Sequence, residues 1–253
     1  MTNVGETFRQ HEVLLTGASG FLGKVVLGLI LDRFPEFKHL HVLVRAGRNR
    51  SAEERFESET LGSPALAGVV EASARQHSES FLRRKITVWA GDLAEPDCGL
   101  QPEKIAALAR RIGAIINCAG RVDFFPTLDD SFSANVDGVE HLIALARRAS
   151  AKLLHVSTCY VCGAADGLVE ETEPIPGFYP RRQGRDDTSF RHTDELRYTR
   201  ELIRQIYESA GVNGPHAKLG KMTATTRSKA VTQRLIALGK QRAEHWGWVN
   251  TYT

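Results

Sequence analysis

Three glycines set the chemistry that this chain can do. They follow the apolar run Val13-Leu-Leu in the stretch Thr16-Gly17-Ala18-Ser19-Gly20-Phe21-Leu22-Gly23, and Val25-Val-Leu-Gly-Leu-Ile-Leu31 comes next. Glycine tolerates positive φ and carries no Cβ. Such a turn lets a pyrophosphate approach bare backbone at a helix N-terminus, where N–H groups and the helix dipole favour anions. Strand, glycine turn and helix in that order read as a nucleotide-binding βα unit. Further along, Leu154-His-Val-Ser157-Thr158 places two hydroxyls at the carboxyl edge of a strand, where ligands of doubly wound sheets bind. Thr158 is the leading hydroxyl for polarising a carbonyl. A Ser-Thr pair at a strand end also serves as a cap or turn, and its order after the glycine turn is what favours chemistry.

Other strand ends carry groups suited to the rest of a dinucleotide. His41-Val-Leu-Val-Arg45 ends in Arg45, with Arg48 close behind and no acid to hydrogen-bond an adenosine ribose. An arginine can instead form bidentate bonds with a 2′-phosphate, which favours NADPH. Asp92, in Gly91-Asp92-Leu93, can accept from an adenine amino group while Leu93 packs on the ring, although Asp and Gly also mark ordinary turns. Asn117-Cys118-Ala119-Gly120 offers small residues that let backbone pass close to a cofactor. Cys159-Tyr-Val-Cys162 has no second cysteine pair or histidine pair at zinc spacing, so no metal site is expected.

Positioning these groups takes a parallel sheet. Apolar runs alternate with helix-like patterns over the first 160 residues, as strands joined by crossover helices do. Strands are predicted near 12–16, 40–45, 86–91, 113–118 and 152–158. Helices are predicted after Gly23, between 51 and 83, at 102–110, at 129–149 around Asn135-Val-Asp-Gly138, and at 194–210 and 228–246. Glu173-Pro-Ile-Pro-Gly-Phe-Tyr-Pro180 reads as a surface loop. The fold class is therefore α/β, a doubly wound Rossmann-type parallel sheet with flanking helices. A single domain over 1–253 is expected, with 160–250 as a helical insertion.

With 253 residues, 42% of them hydrophobic, the chain can bury a sizeable core. No apolar run reaches the ~18 residues of a membrane helix. Met1-Thr-Asn-Val-Gly-Glu6 lacks a signal peptide's pattern, so a soluble, cytoplasmic protein is expected. Four scattered cysteines agree with a reducing compartment. The net charge of +3 hides an asymmetry: residues 181–253 carry 14 basic and 7 acidic side chains. Between Ser209 and Ala243 there is no acid, while Lys218, Lys221, Arg227, Lys229, Arg234, Lys240 and Arg242 are all present. That run fits a solvated helix surface or attraction of a polyanionic substrate tail, with peripheral membrane contact as a further option. Nucleic acid is not expected as a partner.

The spacing Thr16-Gly-x-x-Gly-x-x-Gly23 resembles that of the short-chain dehydrogenase/reductase superfamily. Together with Gly91-Asp-Leu93, His155-Val-Ser-Thr-x-Tyr160 and Asn250-Thr-Tyr-Thr253, it resembles the fatty acyl-CoA reductases, the male-sterility branch of extended short-chain reductases related to thioester reductase domains. The resemblance covers nearly the whole chain, including a long segment between Thr158 and Tyr252. It implies NADPH as cofactor and a fatty acyl-CoA or acyl-carrier thioester as substrate, reduced to an aldehyde and then optionally to an alcohol. In that family a Tyr and a Lys four positions later work beside a Ser or Thr. Tyr252 matches the Tyr and Thr158 the hydroxyl, and the two would stabilise the developing oxyanion. The lysine would fall beyond Thr253. An N-terminal fragment, inactive alone and lacking the C-terminal part of the fold, is therefore expected.

Two alternatives stay open at this point. One is an extended reductase or epimerase acting on nucleotide sugars or steroids, which shares the fold and the Thr, Tyr and Lys roles. The other is a module that binds NADPH without chemistry.

Overall fold

The five predicted strands form one parallel sheet. In the computed structural model, which describes residues 3–78, 80–168, 177–184, 186–211 and 228–251, they are β1 Glu12–Thr16, β2 His39–Val44, β3 Ile86–Ala90, β4 Ile112–Asn117 and β5 Lys152–His155. Their spatial order is β3-β2-β1-β4-β5, and every neighbouring pair is parallel. Chain order therefore reverses direction at β1, which leaves a crevice between the carboxyl ends of β1 and β4. β5 ends earlier than its apolar pattern predicts. Val156 still donates its N–H to Asn117 O at 3.0 Å, but Ser157 and Thr158 lie past the strand.

The helices are α1 Val4–Gln10, α2 Phe21–Arg33, α3 Ala52–Arg55, α4 Ala67–Gln76, α5 Phe81–Lys85, α6 Pro102–Ala109, α7 Leu128–Phe132, α8 Gly138–Ala149, α9 His192–Ser209 and α10 Lys229–Trp246. Alternation along the strands splits the core in two. Val13, Leu15, Leu40 and Val42 pack with Leu27, Ile30 and Leu31 of α2 and with Phe56 and Leu82. Leu14, Leu43 and Ile115 face the other way, onto Ile105 and Leu108 of α6 and Leu142 and Leu145 of α8. Helices thus cover both faces, as an all-parallel sheet requires.

The chain divides into two compact units, one of residues 1–120 with 137–156, the other of residues 121–136 with 157–253. The second has its own apolar cluster, in which Leu128 and Phe132 of α7 meet Ile203, Ile206 and Tyr207 of α9 and Val231 and Leu235 of α10. Glu195 fastens α9 to α10: its carboxylate accepts from Arg242 Nε at 2.8 Å, Trp246 Nε1 at 3.0 Å and Thr199 Oγ1 at 3.1 Å. Burial by itself would raise the pKa of this group, and those donors outweigh it and hold the carboxyl below its ordinary range. Within the 173–180 loop, residues 173–176 lie outside the described residues.

The sheet of the first unit carries a polar bridge through its core. His41 on β2 is wholly buried; its Nδ1 accepts from Trp89 Nε1 of β3 at 3.0 Å, so its Nε2 carries the proton donated to Glu12 Oε2 of β1 at 2.8 Å. Burial lowers the pKa of His41 below 6.5, and the hydrogen bond to Glu12 only partly opposes it. Desolvation lowers His39 in the same way. An unfolded chain therefore binds protons that the folded one refuses. This contribution to stability is present above pH 6.5 and is lost as pH falls from there through the depressed folded value. Each tenfold weakening of proton affinity is worth about 1.4 kcal/mol. Urea midpoints should fall between pH 7 and pH 5, and His41→Leu, though less stable throughout, should show a shallower fall. Parallel profiles for the two proteins would place the acid sensitivity elsewhere.

Candidate nucleotide site

The turn between β1 and α2 is built by what its glycines lack. Gly17 has φ +72°, and a Cβ there would sit 2.6 Å from Ala119 N and from the Cys118 carbonyl carbon. A Cβ on Gly23 would sit 2.0 Å from Gly17 O. Gly20 N donates to Gly17 O at 2.9 Å and Lys24 N to Gly20 O at 3.0 Å, which closes the turn into the helix. Gly20 is the N-cap of α2, and no side chain caps the helix's first turn. That leaves backbone N–H donors aimed at the turn. Ser19, Phe21 and Leu22 are exposed around it, Phe21 to 87%. This is a cradle that admits an anion, and it fits the pyrophosphate of a dinucleotide.

Facing the cradle, the end of β4 is tied across three strands. Thr16 Oγ1 donates to Asn117 Oδ1 at 2.5 Å, and Ala119 N donates to the same oxygen at 3.1 Å. Asn117 Nδ2 then meets His155 Nδ1 of β5 at 2.8 Å. Cys118 N donates to Thr16 O at 3.2 Å. Burial pushes the Cys118 thiol up and the His155 imidazole down from their ordinary pKa values. Thr16, Gly17, Cys118 and Ala119 are thus brought together, and Gly120 follows directly. Sequence reasoning valued Asn117-Cys-Ala-Gly for its small size and missed the polar roles of Asn117 and His155. The signal present was a polar residue inside each apolar run.

At the ends of β2 and β3, Arg45 Nη1 lies 4.0 Å from Asp92 Oδ2, with the arginine side chain 71% exposed. Arg48 stands exposed in the bend that follows. Arg55 was not anticipated: its Nη1 donates to Arg45 O at 2.6 Å while Nε and Nη2 hold Glu59 at 3.3 and 2.9 Å. It anchors the loop that carries both arginines, from the junction of α3 with a π-helical turn, Phe56–Leu61. Asp92 Oδ1 accepts from Ala94 N at 3.0 Å, as an ordinary Asx turn would. Leu93 is half-buried against the second core cluster, and its carbonyl meets His141 Nδ1 at 2.7 Å. Asp97, Cys98 and Gly99 all have positive φ, and this strained loop returns the Cys98 carbonyl to Asp92 N at 2.8 Å. The Cys98 thiol, pushed up to about 12 chiefly by burial, is inert.

In the second unit, Thr158 caps the 3₁₀ turn Cys159–Cys162, its Oγ1 accepting from Tyr160 N at 3.1 Å. Tyr252 lies outside the described residues, as do Lys218, Lys221 and Arg227. Three described cations of the basic run are engaged: Arg242 with Glu195, Arg234 with Ser209 Oγ at 2.7 Å, Lys240 over the Phe125 ring at 4.2 Å; Lys229 stands exposed at the start of α10. Cys162 Sγ donates to Cys159 O at 2.9 Å, and among the described residues no group of three His, Cys, Asp or Glu is placed to hold a metal. No described helix is long and apolar enough to cross a membrane.

The strand order, the glycine cradle at the β1/β4 crevice and the helices on both faces define a dinucleotide-binding Rossmann unit. The chain belongs to the male sterility protein family, an NAD-binding family whose model matches residues 15–253. It is 27% identical over its whole length to the alcohol-forming fatty acyl-CoA reductase of Simmondsia chinensis, covering 48% of that protein. It is 33% identical to fatty acyl-CoA reductase 1 of Homo sapiens over 70% of this chain and 33% of that one. Among solved structures, the terminal R domain of the myxalamid PKS-NRPS pathway superposes with a TM-score of 0.51 at 25% identity, over 77% of this chain and 45% of that domain. The chain thus spans about half the length, or less, of the relatives it matches.

Gly23→Ala tests the cradle. Because the new methyl meets backbone rather than a movable side chain, it should open the turn and abolish binding of nicotinamide dinucleotides, with a lowered melting temperature. Gly28→Ala, inside the same helix, would meet only the end of the Leu66 side chain at 3.0 Å and should bind normally. Titration of both proteins by intrinsic fluorescence checks this; equal affinities would remove the cradle from the site.

Proposed function

We propose that this chain is the nucleotide-binding part of an NADPH-dependent reductase of fatty acyl thioesters. The observation that carries the reading is the family match from position 15 onward, laid over a glycine cradle with room for a pyrophosphate and none for a Cβ. The relatives are fatty acyl-CoA reductases and a reductase domain, which supports an acyl thioester, on CoA or on a carrier protein, as substrate. The nicotinamide ring, when bound, supplies the hydride.

The rest is the work of this chain's residues. Backbone at Gly17, Gly20 and Gly23 holds the phosphates, and Cys118, Ala119 and Gly120 form the opposite wall. Arg45 and Arg48, both exposed, take the 2′-phosphate, and Asp92 the adenine amino group. Thr158 polarises the carbonyl: its oxygen accepts from Tyr160 N, so its own proton is the one it can give. Tyr252 is assigned as proton donor on the resemblance of the Asn-Thr-Tyr-Thr segment. Oxyanion donors of this kind act where charge develops, which is why they raise turnover rather than affinity. The product is an aldehyde, or an alcohol after a second reduction.

Two outcomes test the reading. The protein should bind NADPH more tightly than NADH. Arg45→Ala should weaken NADPH alone, by about tenfold to a hundredfold, from the loss of a charge-assisted contact worth ~1.5–3 kcal/mol. Equal affinities in the unaltered protein would sink the preference. In a chain carried past Thr253 to the length of the relatives, Thr158→Val should cut turnover with acyl-CoA by about 10²- to 10³-fold while leaving NADPH affinity intact. A greater loss from Ser157→Ala would transfer the role, and turnover of nucleotide sugars in place of acyl-CoA would replace the substrate class.

A further inference from the structure

The hydrogen bonds that join β1, β4 and β5 have only one consistent arrangement. Asn117 Oδ1 receives two donors, the Thr16 hydroxyl at 2.5 Å and Ala119 N at 3.1 Å. An oxygen must occupy that position, so the amide nitrogen points at His155 Nδ1, 2.8 Å away. That nitrogen can only donate. His155 Nδ1 must therefore accept, which places the ring's proton on Nε2 and makes the neutral imidazole the form that fits. A ring protonated on Nδ1 would set N–H against N–H.

What this arrangement holds is the wall of the cradle. Ala119 N, fixed by Asn117, is the atom that a Cβ on Gly17 would meet at 2.6 Å. Thr16, the other partner, is the residue immediately before Gly17. Thr16 and Asn117 are each 1% exposed, so neither can exchange its partner for water. The geometry points to His155 as a positioning residue for the nucleotide cradle: by accepting from Asn117 it fixes the amide orientation that seats Ala119 against Gly17. The inference rests on the nucleotide-binding reading above and adds to it a residue that touches no ligand.

Two measurements separate this role from simple packing. The first is dissociation constants for NADPH and NADH in proteins altered at 155. His155→Asn keeps an acceptor at the δ position and should bind within about threefold of the unaltered protein. His155→Phe fills the space without an acceptor and should bind about tenfold more weakly, in line with the loss of one half-buried hydrogen bond whose donor sits on the buried Asn117. Comparable affinity in the H155F and unaltered proteins, or an equal loss in the H155N and H155F proteins, would overturn the proposal.

The second measurement is independent of any nucleotide. Nitrogen-15 NMR of the imidazole should show an unprotonated Nδ1 and a protonated Nε2. Asn117→Asp presents an oxygen to the ring and should flip His155 to the Nδ1–H form; an unchanged tautomer in the N117D protein would also overturn the proposal. If the unaltered protein binds neither dinucleotide, the nucleotide-binding reading fails, and the spectra still decide whether the hydrogen bonds are as assigned.

Discussion

Everything at the ligand edge of this sheet depends on two close backbone approaches. Gly23 lies against the Gly17 carbonyl, and Gly17 against the Cys118–Ala119 peptide, at separations that exclude even a methyl group. The first contact sets where α2 begins, and hence where its uncapped N–H groups point. The second sets the width of the crevice between β1 and β4. Because both are backbone to backbone, a side chain cannot swing aside to relieve them, and the register of β1 with β4, Thr16 opposite Asn117, is fixed along with them. The polar residues of this edge follow from that register. Thr16 and Asn117 face each other because the strands are held there, and their hydroxyl–amide bond satisfies groups that burial would otherwise leave costly.

The same economy governs the middle of the sheet. The middle strands of a parallel sheet covered on both faces offer little solvent to their polar side chains, so these must find partners, here on neighbouring strands. His41 finds two, Trp89 and Glu12, and Glu12 has a second donor in Arg111 Nε at 2.9 Å. These cross-strand bonds add directional preference to an apolar core whose packing alone tolerates exchange. They also explain how residues such as His41 and Asn117 can sit within apolar strands without disrupting them.

The sequence made the local and periodic features legible. Strands alternating with helical patterns pointed to the sheet, and the positions of β1 to β4 agree with their apolar runs to within a residue or so at each end. The glycine turn was legible because its requirement is local: φ and the absence of Cβ belong to single residues. What could not be read depends on partners far along the chain. Asn117 meets Thr16 across 101 residues and His155 across 38, and no spacing rule encodes either distance. Arg55 reads as one more helical charge until the fold brings it to the Arg45 carbonyl. The short α1 has too few residues for a periodic signal, and β5 stops at His155 because the Thr158 hydroxyl turns the chain into a 3₁₀ cap rather than continuing the strand. The long run at 129–149 reads as one helix. It holds the π turn Ser133–Asp137, in which Asn135 exchanges two hydrogen bonds with the backbone of Arg121, at 2.7 and 2.9 Å.

His41 and His155 share a feature that neither position announces in sequence: each accepts at Nδ1 from a donor that cannot become an acceptor, an indole N–H in one case and an oriented amide in the other. Both rings are therefore committed to the Nε2–H form by geometry, before any electrostatic argument, and the desolvation that lowers their pKa values acts in the same direction. The consequences differ with location. At His41, between β1 and β3 in the core, protonation sets Nδ1–H against an indole that can only donate, so the cost falls on the fold as a whole. At His155, beside the end of β4, it pushes on an amide whose other face holds Ala119, so the cost falls on the wall of the nucleotide cradle. One chemical device, a histidine locked as an acceptor, thus reports on stability at one point of the sheet and on the ligand edge at another.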